Sequence, residues 1–247
     1  MALSSASLFL YGITITTDNQ NITYVNSSGT FTVQVTIGTY SLTNLGLAIV
    51  AALQSVDPIN TYSYSVNRSI AGGTANRFTL TSTDSVFSLL FSSGSPSNPA
   101  SLLGFTVSDF TGSLTYTGSS TCGTALIPNQ LAYTFLPTQN KVKNQGVRNI
   151  SASGIKETIT FSIMYFLQAQ YKYIPGQTFV SEWSPFIQWA IQQNPFEYTP
   201  QVSDPSTVFN VTLDDPNQGL SFDAPEMLPD YPNYYQTPLM VFRVINS

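Results

Sequence analysis

The sequence predicts a mainly β protein, built of antiparallel sheets in sandwich-like lobes, with one amphipathic helix and one short helix. Three observations predict this fold class. Apolar and polar residues alternate over many short runs, these runs are rich in Thr, Val, Ile, Tyr and Phe, and turn residues separate them. Two segments instead repeat their apolar residues at helical spacing.

The alternation that predicts strands is clearest in residues 30–37, where every second residue is apolar and falls on one face of an extended chain. Residues 8–16 and 239–245 are predicted to be strands near the two ends of the chain. Gly72 and Gly73 lie between two alternating runs and predict a hairpin. The other runs share the same period, and they are Tyr62, Tyr64 and Val66; Phe78 and Leu80; Ile159, Phe161 and Ile163; and Phe209, Val211 and Leu213.

The longer helix is predicted over residues 42–56. Ser41 or Thr43 can cap its first turn. The Asp57-Pro58 pair ends it, because a residue before proline disfavours the helical conformation. The apolar residues that would share one face of this helix are Leu42, Leu45, Ile49, Ala52, Leu53 and Val56.

The shorter helix is predicted over residues 185–193. Ser184 suits the N-cap position, and Pro185 suits the first helical position, where its missing N–H has no cost. Phe186 and Trp189 would then share one face.

The composition also predicts two lobes. Residues 1–125 are rich in Ser, Thr and Gly and contain the longer helix and the hairpins. Residues 126–247 collect prolines and large aromatic residues, the short helix and an acidic, irregular C-terminal segment. We expect both lobes to be rich in β structure.

Several classes of site are excluded or disfavoured by composition. Histidine is absent and Cys122 is the one cysteine, which excludes an intrachain disulfide, imidazole-dependent nucleophiles and histidine-ligated zinc. The net charge of −5 disfavours nucleic-acid binding, and no apolar run is long enough for a membrane helix. The start of the sequence lacks the basic region of a signal peptide. We expect no catalytic residue, cofactor, metal, nucleic-acid partner or membrane partner.

The charges are few and sorted by sign. Charged residues make up 9% of the chain, which is typical of a protein that buries uncharged faces against partners. Five of the eight basic residues lie in 141–172, and they are Lys141, Lys143, Arg148, Lys156 and Lys172. Residues 173–242 contain no Lys or Arg and hold eight of the 13 acids, among them Asp214, Asp215, Asp223, Glu226 and Asp230. We expect the basic stretch to dock on an acidic surface, of a neighbouring copy or of another protein.

Two other interpretations of the acidic residues are weaker. Their spacing matches no EF-hand calcium loop, and nothing selects two of them as a glycosidase pair. Carboxylates that are solvated on loops, or that dock on a basic neighbour, explain them better.

The aromatic residues of the second half are candidate anchors for contacts. They are Trp183, Trp189, Tyr231, Tyr234 and Tyr235. Packing in the core or at an interface is the favoured interpretation, since Trp and Tyr supply much of such contact area. A platform that stacks on sugar rings is the alternative.

The first half of the chain contains an ordered set of motifs. The set is Phe31–Ile37, Gly38-Thr39-Tyr40-Ser41-Leu42-Thr43-Asn44-Leu45, Ala48-Ile49, Ala51-Ala52-Leu53, the tyrosine strand, Asn76-Arg77-Phe78-Thr79-Leu80, Phe87-Ser88-Leu89-Leu90-Phe91 and Leu102-Leu103-Gly104-Phe105. This order resembles a strand–helix–hairpin module of structural proteins in tailed bacteriophages and other viruses, over roughly residues 7–118. The second half contains Trp189, Pro195-Phe196-Glu197-Tyr198-Thr199-Pro200, Val211-Thr212-Leu213 and Phe242-Arg243. Through these motifs, residues 183–245 resemble parts of phage tail and baseplate proteins.

The resemblance implies a non-enzymatic virion component of the tail or baseplate, assembled in the host cytoplasm. It implies partners that are other copies of the chain and other tail proteins, in a homo-oligomeric ring or collar. It transfers no functional residues. The alternative function is a carbohydrate- or receptor-binding module of a viral fibre or spike.

Overall fold

The structure, a computed structural model, describes residues 7–57, 59–68, 76–128, 141–150, 156–200, 207–214 and 226–245, and the mainly β prediction is confirmed. The first strands are β1 (Leu8–Tyr11), β2 (Ile13–Ile15), β3 (Asn21–Asn26), β4 (Gly29–Gln34), β5 (Gly38–Tyr40), β6 (Tyr62–Asn67), β7 (Arg77–Ser82), β8 (Phe87–Leu90), β9 (Asp109–Ser113) and β10 (Thr115–Thr117). The later strands are β11 (Thr124–Leu126), β12 (Lys141–Ile150), β13 (Lys156–Ala169), β14 (Ile174–Pro175), β15 (Phe196–Thr199), β16 (Phe209–Asp214), β17 (Glu226–Met227), β18 (Tyr234–Gln236) and β19 (Met240–Val244).

The strands form antiparallel sheets. The largest has seven strands in the order β11-β1-β15-β16-β19-β13-β12. A four-stranded sheet has the order β4-β3-β8-β9, a three-stranded sheet the order β10-β7-β6, and β2 pairs with β5. A small sheet of order β14-β18-β17 lies beyond the end of β13. The β6–β7 hairpin agrees with the prediction, and its Gly72-Gly73 turn lies outside the described residues.

Strand β1 belongs to two hydrophobic cores. Leu8 and Leu10 pack in a first core with the longer helix, whereas Phe9 and Tyr11 pack in a second core with Trp183 and its neighbours. The division follows from the strand geometry, because successive side chains point to opposite faces. At β1, the seven-stranded sheet therefore separates the two cores. The predicted lobe boundary at residues 125–126 stays a prediction.

Helix α1 (Leu42–Val56) has the predicted bounds. The Ser41 hydroxyl accepts a hydrogen bond from the Asn44 backbone N–H at 3.3 Å and caps the first turn. Gly46 faces the Tyr64 ring so closely that a Cβ atom there would lie 2.3 Å from two ring carbons. The glycine therefore allows α1 to pack tightly on β6.

The second helical segment is longer than predicted. It begins with α2 (Gly176–Thr178), continues through a π-helical turn (Phe179–Trp183) and ends with α3 (Ser184–Ile191). Ser184 has helical dihedral angles, so its prediction as the N-cap is wrong. The wider π turn ends two residues before Pro185, whose ring and missing N–H disfavour a continuous α-helix.

Two predicted strands are shorter or broken. Residues 8–16 split into β1 and β2 at Gly12, whose φ of 81° suits glycine. The predicted strand 30–37 ends early: β4 stops at Gln34, and the bond from the Val35 N–H to the Gln20 carbonyl, at 2.8 Å, is the last of the β3–β4 ladder. Ile37 is consequently exposed. Among the described residues, no helix has the length and apolar character needed to cross a membrane.

Candidate protein-interface site

A two-stranded arm extends from the edge of the seven-stranded sheet. Ten residue pairs join β12 to β13, from Lys141–Phe166 to Ile150–Lys156. Strand β13 pairs with β19 only over Phe166–Ala169. In the described part of the chain, residues 156–165 therefore have β12 as their one partner strand. We call residues 141–150 and 156–165 the basic arm; at about 3.3 Å per residue it is about 30 Å long.

The arm contains a β-bulge. Gln145 pairs with Ser162 but Gly146 pairs with Thr160, so one residue of β13 has no opposite partner. Bulges and lysines are features by which natural proteins protect an edge strand from uncontrolled pairing. The arm therefore has two of the features that limit pairing at an exposed strand edge.

The charge of the arm opposes that of the rest of the chain. The arm sequence contains four of the eight basic residues, Lys141, Lys143, Arg148 and Lys156, and one acid, Glu157. The arm is therefore net +3, and the rest of the chain is net −8. Lys172 lies beyond β13 and is half-buried, so it is not part of the arm.

The acidic candidates are only partly described. Asp214 ends β16 and is half-buried, and Asp230 is exposed in the turn between β17 and β18. Glu226 begins β17. Asp215 and Asp223 lie outside the described residues.

An antiparallel ribbon, made of residues 166–175 and residues 234–243, links the arm to the small sheet. Ala169 pairs with Met240 at the end of β13. Further along, the Thr237 N–H donates to the Tyr171 carbonyl at 2.8 Å, and β14 then pairs with β18. The arm and the small sheet consequently lie at opposite ends of this ribbon.

Exposed aromatic side chains gather at the small-sheet end. Tyr173 and Tyr231 are 48% and 52% exposed, and their rings meet edge to face with centroids 5.4 Å apart. Tyr234 is 40% exposed and pairs through its backbone with the exposed Pro175. Together with the exposed Pro232, these residues form what we call the tyrosine patch.

The remaining aromatic candidates are less accessible. Trp183 is fully buried, with its ring centroid 5.0 Å from that of Tyr171, so it cannot act as a surface anchor. Trp189 is half-buried and donates its indole N–H to the Pro195 carbonyl at 3.1 Å. Tyr235 is half-buried and stacks on Phe179. Trp183 therefore does not belong to an exposed platform, and Trp189 and Tyr235 are only partly accessible.

A buried charge network, which the sequence reasoning missed, joins β15 to α1. Glu197 is fully buried, and its carboxylate accepts from the Thr43 N–H at 2.7 Å and the Thr43 hydroxyl at 2.6 Å. The Arg68 guanidinium donates to both carboxylate oxygens, at 2.9 and 3.0 Å. The Thr43 N–H lies in the first turn of α1, where the helix dipole favours a negative charge.

The alternation in β15 was a signal for this network. Phe196 and Tyr198 point into the second core. The residue between them must point to the other face of the sheet, toward the first core. A buried glutamate there needs a cation, and Arg68 supplies it.

A second buried carboxylate, Asp57, lies at the end of α1. It accepts hydrogen bonds from the side chains of Asn26, Asn60 and Tyr62 and from the backbone N–H groups of Ile59 and Asn60. Burial raises the pKa of Asp57, but the hydrogen bonds from Asn60 and Tyr62 outweigh burial and hold this pKa below its usual 3.8. These contacts fix the chain between α1 and β6.

The Cys122 thiol is not activated. Burial, with a smaller contribution from the nearby Glu197 carboxylate, raises the pKa of Cys122 to about 12. Among the described residues, no cluster of three or more His, Cys, Asp or Glu side chains could hold a metal ion.

The chain matches no protein-family model and no curated protein. The sequence resemblance and the geometry above are therefore the basis for the function proposed below.

Proposed function

We propose that this protein is a non-enzymatic structural component of a phage virion, in the tail or baseplate. It acts by packing between copies of itself and neighbouring virion proteins in a symmetric assembly. The sequence resemblance supports the virion assignment and assembly in the host cytoplasm. The single observation that carries the packing role is the basic arm, which extends beyond the sheet without a third strand among the described residues.

The energetics of an isolated ribbon support this role. A two-stranded hairpin is marginally stable in water, because it buries little apolar surface. Among the described residues, β12 is also an edge strand, and such an edge presents backbone N–H and C=O groups to a partner. A partner that covers the arm or adds a strand to this edge stabilises it through main-chain hydrogen bonds.

Uncharged surface elsewhere on the chain also fits an assembly protein. On β7 and β10, the exposed Thr79 and Thr117 hydroxyls lie 2.9 Å apart, and those of Thr81 and Thr115 lie 3.2 Å apart. Such a face has little desolvation cost from charge when a neighbour covers it. Interface cores are depleted in charge for this reason.

The location of the chain in purified phage particles tests the proposal. We expect mass spectrometry to detect it in the particles and electron microscopy to place it in the tail or baseplate. Particles that lack the chain would contradict the virion role.

The alternative, a carbohydrate- or receptor-binding module, is favoured by the tyrosine patch, since exposed tyrosine rings can stack on sugars. Asp230 and Asn233 beside the patch are exposed polar groups. Glycan-array binding by the isolated protein, abolished by Tyr231→Ala and retained by Tyr231→Phe, would support this function. Absence of binding to any glycan would reject it.

A further inference from the structure

The basic arm and the tyrosine patch have complementary chemistry. The arm carries four Lys and Arg residues. The patch presents the faces and edges of Tyr173, Tyr231 and Tyr234 next to the exposed Asp230. Ammonium and guanidinium groups bind to aromatic faces as well as to carboxylates. Residues 173–242, which include the patch, contain no Lys or Arg, and the half-buried Lys172 precedes Tyr173.

The two surfaces cannot meet within one copy. The arm leaves the ribbon where β13 extends past β19, and the patch lies beyond the other end of β13, at β14 and β18. Hydrogen bonds between Tyr171 and Thr237 hold the ribbon together between them. A contact between arm and patch therefore needs two copies.

We infer that the tyrosine patch of one copy receives the basic arm of a second copy, head to tail. This inference rests on the proposed function and names the partner of the arm. The second copy is the occupant because its arm is net +3 while the receiving chain outside its arm is net −8. A contact between two different surfaces repeats from copy to copy and produces a closed ring or an open filament.

The test uses two variants of the full chain. The arm variant carries Lys141→Glu, Lys143→Glu and Arg148→Glu, and the patch variant carries Tyr231→Ser and Tyr234→Ser. In sedimentation velocity we expect the wild type to form oligomers of more than two copies, and each variant alone to be monomeric. We expect the dissociation constant of each variant to be at least tenfold higher than that of the wild type.

Mixing the two variants gives the decisive result. The arm variant keeps an intact patch and the patch variant keeps an intact arm, so an equimolar mixture forms one-to-one dimers and nothing larger. A wild type that stays monomeric, variants that oligomerise like the wild type, or a mixture that stays monomeric each overturns the inference.

Conservative variants distinguish the loss of a contact from misfolding of the chain. Lys141→Arg, Lys143→Arg and Arg148→Lys together keep the charge of the arm, and Tyr231→Phe keeps the ring, so both should oligomerise like the wild type. Circular dichroism confirms folding of every variant. If the triple reversal does not fold, the single substitution Asp230→Lys, in an exposed turn, is expected to weaken association several-fold; unchanged association of a folded Asp230→Lys variant contradicts the inference.

Particle incorporation distinguishes this inference from the proposed function. A chain that enters phage particles but never self-associates retains the virion role and loses the head-to-tail contact. A chain that forms arm-dependent oligomers but is absent from particles retains the contact and loses the virion role.

Discussion

At the scale of single residues, the Glu197–Arg68 pair is the feature with the largest expected energetic effect. Glu197→Ala leaves the Arg68 guanidinium, of which 18% is exposed, without its carboxylate and also removes the acceptor of the Thr43 N–H. Breaking a buried ion pair typically costs about 3–5 kcal/mol, because one charge stays buried and uncompensated. We expect a loss of this size in the free energy of unfolding, measured by urea denaturation.

The matched control for this prediction is Asp18→Ala, which removes an exposed carboxylate. Its stability should stay close to that of the wild type. Equal losses from the two substitutions would show that the buried pair has no special importance.

The ionisation of Asp57 leads to a prediction about how stability depends on pH. Its pKa is below 3.8 in the folded chain, so its contribution to stability is present above 3.8 and is lost as the pH falls through the lower, folded-state pKa. Asp57→Asn removes this ionisation. The difference in unfolding free energy between wild type and variant should therefore shrink as the pH falls below 3.8. Denaturant titrations at several acidic pH values measure it, and a constant difference contradicts the prediction.

The close contact between Gly46 and the Tyr64 ring leads to a prediction about packing. Alanine has the better helix propensity by about 1 kcal/mol, yet a Cβ atom at this position would overlap the Tyr64 ring. We expect Gly46→Ala to destabilise the chain by about 1–3 kcal/mol, since overpacking displaces neighbours. In a Tyr64→Ala background the same change should cost much less, and equal costs in both backgrounds would exclude the overlap as the cause.

At the scale of elements, the basic arm is expected to be separable from the fold. Replacing residues 145–162 with Asn-Gly keeps the β12–β13 pairs from Lys141–Phe166 to Asn144–Ile163 and closes them with a two-residue turn. Within the described ranges the removed part of β13 pairs with β12 alone, so the unfolding midpoint in urea should stay close to the wild-type value. A large loss of stability would mean that the arm packs on its own copy.

The elements also show which parts of this fold are readable from sequence. Helix α1 was predicted with its bounds because its cap, apolar face and terminating proline are all local signals. The π turn before Pro185 was missed, since serine followed by proline has the same local pattern at a true N-terminus. The length of the arm was missed because it depends on where β19 stops pairing with β13, a contact between distant parts of the chain.

The candidate site, like the fold, was predictable from the sequence only in part. The sign and position of the arm charges were visible in the sequence. The burial of Trp183 and the exposure of Tyr231 were not, because both are aromatic residues in similar surroundings along the chain. Only the packing of the π turn against β1 separates them.

At the scale of the whole molecule, association through the arm should weaken with salt. Exposed charges interact over a Debye length of about 10 Å at 0.1 M salt and about 3 Å at 1 M. We expect the dissociation constant of the oligomer to rise about tenfold between these salt concentrations, as for interfaces steered by charge. Sedimentation at both concentrations measures it, and stronger association at high salt would indicate an apolar contact instead.

The position of β1 has a consequence for synthesis on the ribosome. The partners of its Leu8 and Leu10 face all precede residue 130 in the chain. Some partners of its Phe9 and Tyr11 face, among them Phe196 and β15, are made much later than β1. One side of β1 is thus complete before the other, and the nascent chain carries an uncovered aromatic surface until β15 has been made.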